Sequence, residues 1–235
     1  MALDLSAMNP KSLTDPAVVA LYQQYEDDYL TAYAIHTDWR VRDHGPEAAI
    51  GGDWEAGGQR QMDFLLAHGL SPEHTLLDFG CGTGRLARKV LPYLEPGRYV
   101  GMDISAHALQ AAESLLRAEG LWQLYRPILL HQDGTLNGID GMHIEIILAY
   151  AVFIHLPTDV LSDIMMSLQH IHFDRLYFTY KSAPSPCRSG LKQFAAPLSW
   201  YQETATRYGF QVERVNGMPY IPQAMAVLMR NTREK

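Results

Sequence analysis

Cysteine is scarce in this chain: Cys81 and Cys187 are the only two among 235 residues. A disulfide framework is therefore not expected, and a reducing, cytoplasmic setting is. No cysteine–histidine spacing suits zinc, so no metal is expected. Long apolar runs are missing as well: no stretch of eighteen such residues occurs, which leaves no candidate for a membrane span. The opening Met-Ala-Leu-Asp-Leu-Ser carries an acid and lacks a basic head, unlike a secretory signal. Basic residues are outnumbered, 19 against 26 acids, for a net charge of −7. Such a chain is a poor partner for phosphate backbones unless it holds a local basic stripe. The one basic cluster, Arg85, Arg88 and Lys89, reads as the solvated face of a helix. Neither nucleic acid nor membrane is expected as a partner, and internal repeats are absent. The oligomeric state is not legible.

What is present is a chain with 47 % hydrophobic and 19 % charged residues, suited to one domain with an added cap. Its most informative stretch is residues 76–84, Leu-Leu-Asp-Phe-Gly-Cys-Gly-Thr-Gly. A short apolar run ends at Asp78, enters three alternating glycines and leads into a helical pattern of Leu86, Ala87, Val90 and Leu91. Strand, glycine turn and helix is the layout of a nucleotide site at the carboxyl edge of an α/β sheet. A dinucleotide fingerprint would need a small residue at position 85, which holds Arg85. A carboxylate ahead of the glycines repels a pyrophosphate and suits a ligand with an ammonium group or hydroxyls. This stretch resembles the glycine motif of class I S-adenosylmethionine-dependent methyltransferases.

Further elements follow in order. Residues 98–103 read as a second strand ending in Asp103, near the spacing at which such folds place an acid on ribose hydroxyls. Ser105 can cap a helix to about Glu119 with an apolar stripe of Ala108, Leu109, Ala112, Leu115 and Leu116. Residues 128–130 form a third strand before His131-Gln132-Asp133-Gly134-Thr135, where Asp-Gly is also a plain turn signal. Residues 144–156 resemble the fourth-strand segment of small-molecule methyltransferases, with Glu145 where the family usually has Asp. The remaining pattern predicts a helix over 158–170, a strand over 175–180, a helix over 199–208 and strands over 210–215 and 224–229. Met165 and Met166 read as core filling.

The resemblance covers about residues 72–230 and implies a Rossmann-like doubly wound α/β sheet of seven strands, the last antiparallel. It implies S-adenosylmethionine as cofactor, yielding S-adenosylhomocysteine. Asp78 and the glycines Gly80, Gly82 and Gly84 would hold the methionine part, Asp103 the ribose and Asp133 the adenine, with Cys81, Ile104, Gln132 and Gly134 as further cofactor-binding residues. Ala149 would lie at the fourth strand's end, near the cofactor. There is no Asn/Asp-Pro-Pro-Tyr/Phe motif of the kind amino-methylating nucleic-acid enzymes use. The expected reaction is O- or N-methylation of a small-molecule acceptor. A cofactor-binding protein without transfer, or an aminopropyltransferase of the same fold, is the alternative; the latter expects acids in the fourth-strand segment, and Ala149-Tyr150-Ala151-Val152 has none.

Two segments lie outside the minimal fold. Residues 1–70 are expected as a helical cap on a catalytic domain of 71–235. Tyr22, Tyr25, Tyr29 and Tyr33 recur there at helical spacing, and a helix is expected over 59–68 after a glycine-rich turn holding Trp54. A tyrosine stripe is usually packing; the sharper reading makes it an acceptor wall. Residues 182–198, with three prolines, read as a long loop at the ligand edge. Tyr22, Tyr25, Tyr29, Trp54, Tyr150 and His155 are thus the candidate acceptor-binding residues. His155 is the candidate base, and Tyr150 is a second catalytic candidate.

Overall fold

The structure, a computed structural model, describes residues 13–50, 53–132, 136–218 and 221–231. Among the described residues nine strands form: β1 (Leu76–Phe79), β2 (Tyr99–Asp103), β3 (Ile128–His131), β4 (His143–Ala149), β5 (His172–Tyr180), β6 (Cys187–Gly190), β7 (Gln193–Ala195), β8 (Phe210–Val215) and β9 (Ala224–Arg230). Seven of them make one sheet in the order β3-β2-β1-β4-β5-β9-β8. β1 through β5 pair in parallel, and β9 runs antiparallel to both β5 and β8. This is the doubly wound sheet expected, with its last strand reversed.

The side chains of the central strands alternate between two buried faces, as a sheet covered on both sides requires. Leu77, Ile147, Leu176 and Phe178 point to one core, and Leu76, Ile146, Leu148 and Tyr177 to the other. Helices α1 (Pro16–Gln24), α2 (Tyr29–His44), α3 (Pro46–Ala49), α4 (Trp54–Ala67), α5 (Ala87–Val90), α6 (Ala106–Ala118), α7 (Leu121–Tyr125), α8 (Thr158–Ser167) and α9 (Leu198–Arg207) complete the architecture. α8 and α9 fill the first core with Leu161, Ile164, Met165, Tyr201 and Ala205. α4 and α5 fill the second with Met62, Phe64, Leu65, Ala87 and Val90. α4 therefore packs directly on the sheet. α1 and α2 bury a small cluster of their own around Val18, Leu21, Tyr22 and Trp39.

Four local readings need correction. The tyrosine stripe is split between two helices, because Asp28 caps a new helix by accepting from the Thr31 N–H at 3.2 Å. The helix expected at 59 begins at Trp54 and runs through two glycines. A Cβ on Gly58 would lie 2.9 Å from the Arg85 carbonyl, so these glycines serve close packing. The expected loop over 182–198 contains the β6–β7 hairpin. Met166 is 46 % exposed, on the solvent side of α8, while Met165 is buried.

Candidate cofactor site and adjoining chamber

The strand order reverses between β1 and β4, and the crevice outside their carboxyl ends is the standard ligand position in such a sheet. A cavity of about 260 Å³ lies there. Asp78, Gly80, Cys81, Gly82, Asp103, Ile104 and Gln132 line it, together with Tyr150 and His155.

The glycine loop is tied to the end of β2. Gly80 and Cys81 both donate to the Met102 carbonyl, at 2.8 and 2.9 Å. Gly82 donates to Oδ2 of Asp103 at 2.8 Å, while Ser105 donates to Oδ1 at the same distance. One carboxylate thus joins the two motifs and still has lone pairs for further donors. Gly80 has φ +81°, and a Cβ there would lie 2.3 Å from a Val152 methyl. A side chain fits neither the backbone conformation nor the space. Gly84 differs from its two neighbours. It does not line the cavity; its φ is +90°, and a Cβ would press on Ala112 of α6 at 3.3 Å. The third glycine packs against α6 and lies off the cavity lining.

Two acids share this cavity. Asp78 is 3 % exposed and accepts from the Tyr99 hydroxyl at 2.9 Å. Burial pushes its carboxyl up to about 7, against the Tyr99 hydrogen bond and the Arg85 charge; Asp103 pushes the same way as burial. Burial likewise raises Asp103, against the Ser105 and Gly82 N–H groups. A pair of acids held above their ordinary range fits a ligand that brings positive charge. Arg85 was expected on a solvated face with Arg88 and Lys89. Those two do face outward and pair with Glu55. Arg85 turns inward, donates to Gln61 at 3.3 Å and lies 5.5 Å from the Tyr150 ring centroid. Its neighbour glycines in α4 give it the room.

The rest of the cavity is roofed. Tyr33, Thr37 and Arg40 project from one face of α2, at i, i+4 and i+7. Asp38 of the same helix accepts from the Ser105 hydroxyl at 2.6 Å and the His107 N–H at 3.0 Å, fixing α2 over α6. Lys192 enters from the β6–β7 turn, and its carbonyl accepts from Nδ1 of His155 at 2.6 Å. A carbonyl only accepts, so Nδ1 carries the proton and Nε2 is left as an acceptor. Burial lowers the imidazole to about 4, so it is neutral at physiological pH.

Other expected residues lie elsewhere. Tyr22, Tyr25, Tyr29 and Trp54 are not among the cavity's lining. Tyr22 is buried against His36, whose Nδ1 is 3.1 Å from its hydroxyl. Tyr25 ends α1 and packs on the same small core. Tyr29 meets Phe194 of the hairpin edge-on at 5.2 Å. Trp54 opens α4. Ala149 is fully buried in the core. Asp133 and Gly134 lie outside the described residues. Of the tyrosine stripe only Tyr33 lines the cavity; Arg40 and Lys192 were not singled out, and only the i, i+7 spacing from Tyr33 on α2 could have flagged Arg40.

The model of the family described as "Methyltransferase domain" matches residues 77–172. Magnesium protoporphyrin IX methyltransferase from Synechocystis PCC 6803 with bound SAM is similar in fold, with TM-score 0.61 and 17 % identity over 91 % of this chain and 97 % of that one. The DhpI–SAH complex superposes with TM-score 0.60 and 13 % identity, over 88 % and 99 % of the two chains. The small RNA methyltransferase HEN1 gives TM-score 0.57 and 18 % identity, over 75 % of this chain and 25 % of that one.

Proposed function

We propose that this chain is a class I S-adenosylmethionine-dependent methyltransferase whose acceptor is a small molecule; the methyltransferase-domain match over residues 77–172 and the shared fold support it. The observation that carries this reading is the roof. Tyr33, Thr37 and Arg40 of α2 and Lys192 of the hairpin turn wall the cavity beside the cofactor residues. A net charge of −7 adds to it, since long phosphate backbones would meet an acidic surface. In this reading residues 1–70 contribute the cap, with the tyrosine, threonine and arginine of α2 as its working face.

The cofactor supplies an activated methyl group on a sulfonium, so the protein's contribution is alignment and exclusion of water. Asp78 and the backbone of Gly80 to Gly82 hold the methionine part. Asp103 receives the ribose hydroxyls, and Ile104 and Gln132 line the cavity beyond it. The two raised acids become better anions as the cationic cofactor enters. His155, neutral and with Nε2 open as an acceptor, orients the acceptor's hydroxyl or amine proton and receives it. Tyr150 walls the methionine end under Arg85.

The test is an incubation of the protein with methyl-labelled S-adenosylmethionine and a cell extract split into small-molecule, RNA and protein fractions. Label is expected in the small-molecule fraction. Label confined to RNA, the acceptor class named for HEN1, or to protein overturns the reading.

A further inference from the structure

Lys192 is a lysine with 7 % exposure, set at the turn of a surface hairpin and lining the chamber. Among the described residues its ammonium has no carboxylate within salt-bridge distance. Its contact is the face of Tyr33, 5.4 Å from the ring centroid. Arg40 lies one turn beyond Thr37 on the helix face that carries Tyr33, and lines the same chamber. One of its terminal nitrogens donates to the Ala48 carbonyl at 3.2 Å, and its Nε is buried with no hydrogen-bond partner. It too has no ion pair among the described residues. His155 adds no negative charge. A withdrawn, uncompensated cation is costly, and two around one space are more so. Burial accordingly drives the Lys192 ammonium down to about 7, with the Arg40 charge acting in the same direction. A bound anion removes that penalty.

The walls around the pair say what the anion is attached to. Leu30, Leu156, Val160 and Ile164 line the chamber with apolar surface, and Tyr33 adds a ring face. We propose that the acceptor is a small apolar body bearing a carboxylate or similar anionic group, which Lys192 and Arg40 clamp. This deepens the small-molecule reading and rests on it. The cavity then carries both signs of charge. Two carboxylates, Asp78 and Asp103, receive the cationic cofactor, and two cations receive the anionic acceptor. Each ligand meets groups of the opposite charge.

The experiment uses the full chain saturated with S-adenosylhomocysteine, titrated calorimetrically with benzoate and with its neutral isostere benzamide. Benzoate is expected to bind at least about tenfold more tightly, a difference of about 1.4 kcal/mol. Lys192→Met is expected to abolish the preference and leave S-adenosylhomocysteine affinity unchanged, and Lys192→Arg to retain the preference. Equal binding of the two probes overturns the inference and leaves the small-molecule reading standing. A tenfold loss of S-adenosylhomocysteine affinity in Lys192→Met, without benzoate present, also overturns it, because the pair then serves the cofactor's own carboxylate. Binding of neither probe, with methyl label found in RNA, overturns both.

Discussion

Asp103→Asn tests how one side chain holds the site together. The carboxylate accepts two backbone N–H bonds of 2.8 Å, from Gly82 in the loop and from Ser105 at the start of α6. Asparagine keeps one acceptor oxygen and places an NH₂ group against the other N–H. One backbone donor is therefore orphaned in a largely buried place, which costs about 1–3 kcal/mol. The lost bond is charge-assisted and the retained one loses its charge assistance, so the upper half of that range is expected. The loop held by Gly82 also lines the cofactor cavity. Cofactor binding should fall with it, by more than about 1.5 kcal/mol, because in the proposed role the ribose hydroxyls lose a charged acceptor as well. Urea unfolding measures the first quantity and calorimetry with S-adenosylhomocysteine the second. Asp103→Ala orphans both donors and should roughly double the stability loss. A folded Asp103→Asn protein with unchanged unfolding midpoint and unchanged affinity would refute the tether and the ribose role together.

Further outcomes follow from the same geometry. Gly80→Ala combines φ +81° with a 2.3 Å approach to Val152, and should cost roughly 2–4 kcal/mol. Gly97→Ala, with φ +84° and nothing within 4 Å, should cost only about 1–2 kcal/mol in the same urea assay. Asp78, raised to about 7 by burial, stabilises the fold below its unfolded-state value and loses that contribution as pH rises through about 7. In the proposed role the ionised form receives the ligand's ammonium group, which S-adenosylhomocysteine shares with the cofactor, so its affinity should increase from about pH 6 to pH 8, and Asp78→Asn should flatten the profile. His155, lowered to about 4, is neutral in the folded chain while the unfolded chain takes up a proton below about 6.5. Its contribution to stability is therefore lost as pH falls from about 6.5 to 4, and His155→Gln should show a shallower acid-side loss of melting temperature.

The sheet was legible because its central strands are buried on both faces and read as short apolar runs closed by an acid or glycine. Thr75-Leu76-Leu77, closed by Asp78, and residues 99–102, closed by Asp103, are examples, and the glycines Gly80 and Gly82 mark the turn by the conformation they alone tolerate. Gly84 looks identical in sequence, yet it answers to Ala112, 28 residues away in another helix. The acceptor end was less legible. The tyrosine spacing runs through the α1–α2 break, and the capping Asp28 that ends the register stands in an acidic cluster that also suits a solvated helix face. Arg85 belongs to a basic run whose other two members are solvated, and its inward turn depends on Gly57 and Gly58 of α4. Lys192 carries no local signal, since only the packing of the hairpin against α2 and His155 brings it into the chamber.

The most direct test of the central claim is a crystal structure of the chain with S-adenosylhomocysteine. The account predicts the ribose hydroxyls on Asp103, the amino group toward Asp78, and the sulfur facing the chamber walled by Tyr33, His155 and Lys192. A product molecule bound with its sulfur turned away from that chamber, or bound outside the Gly80–Gly82 cavity, would contradict it.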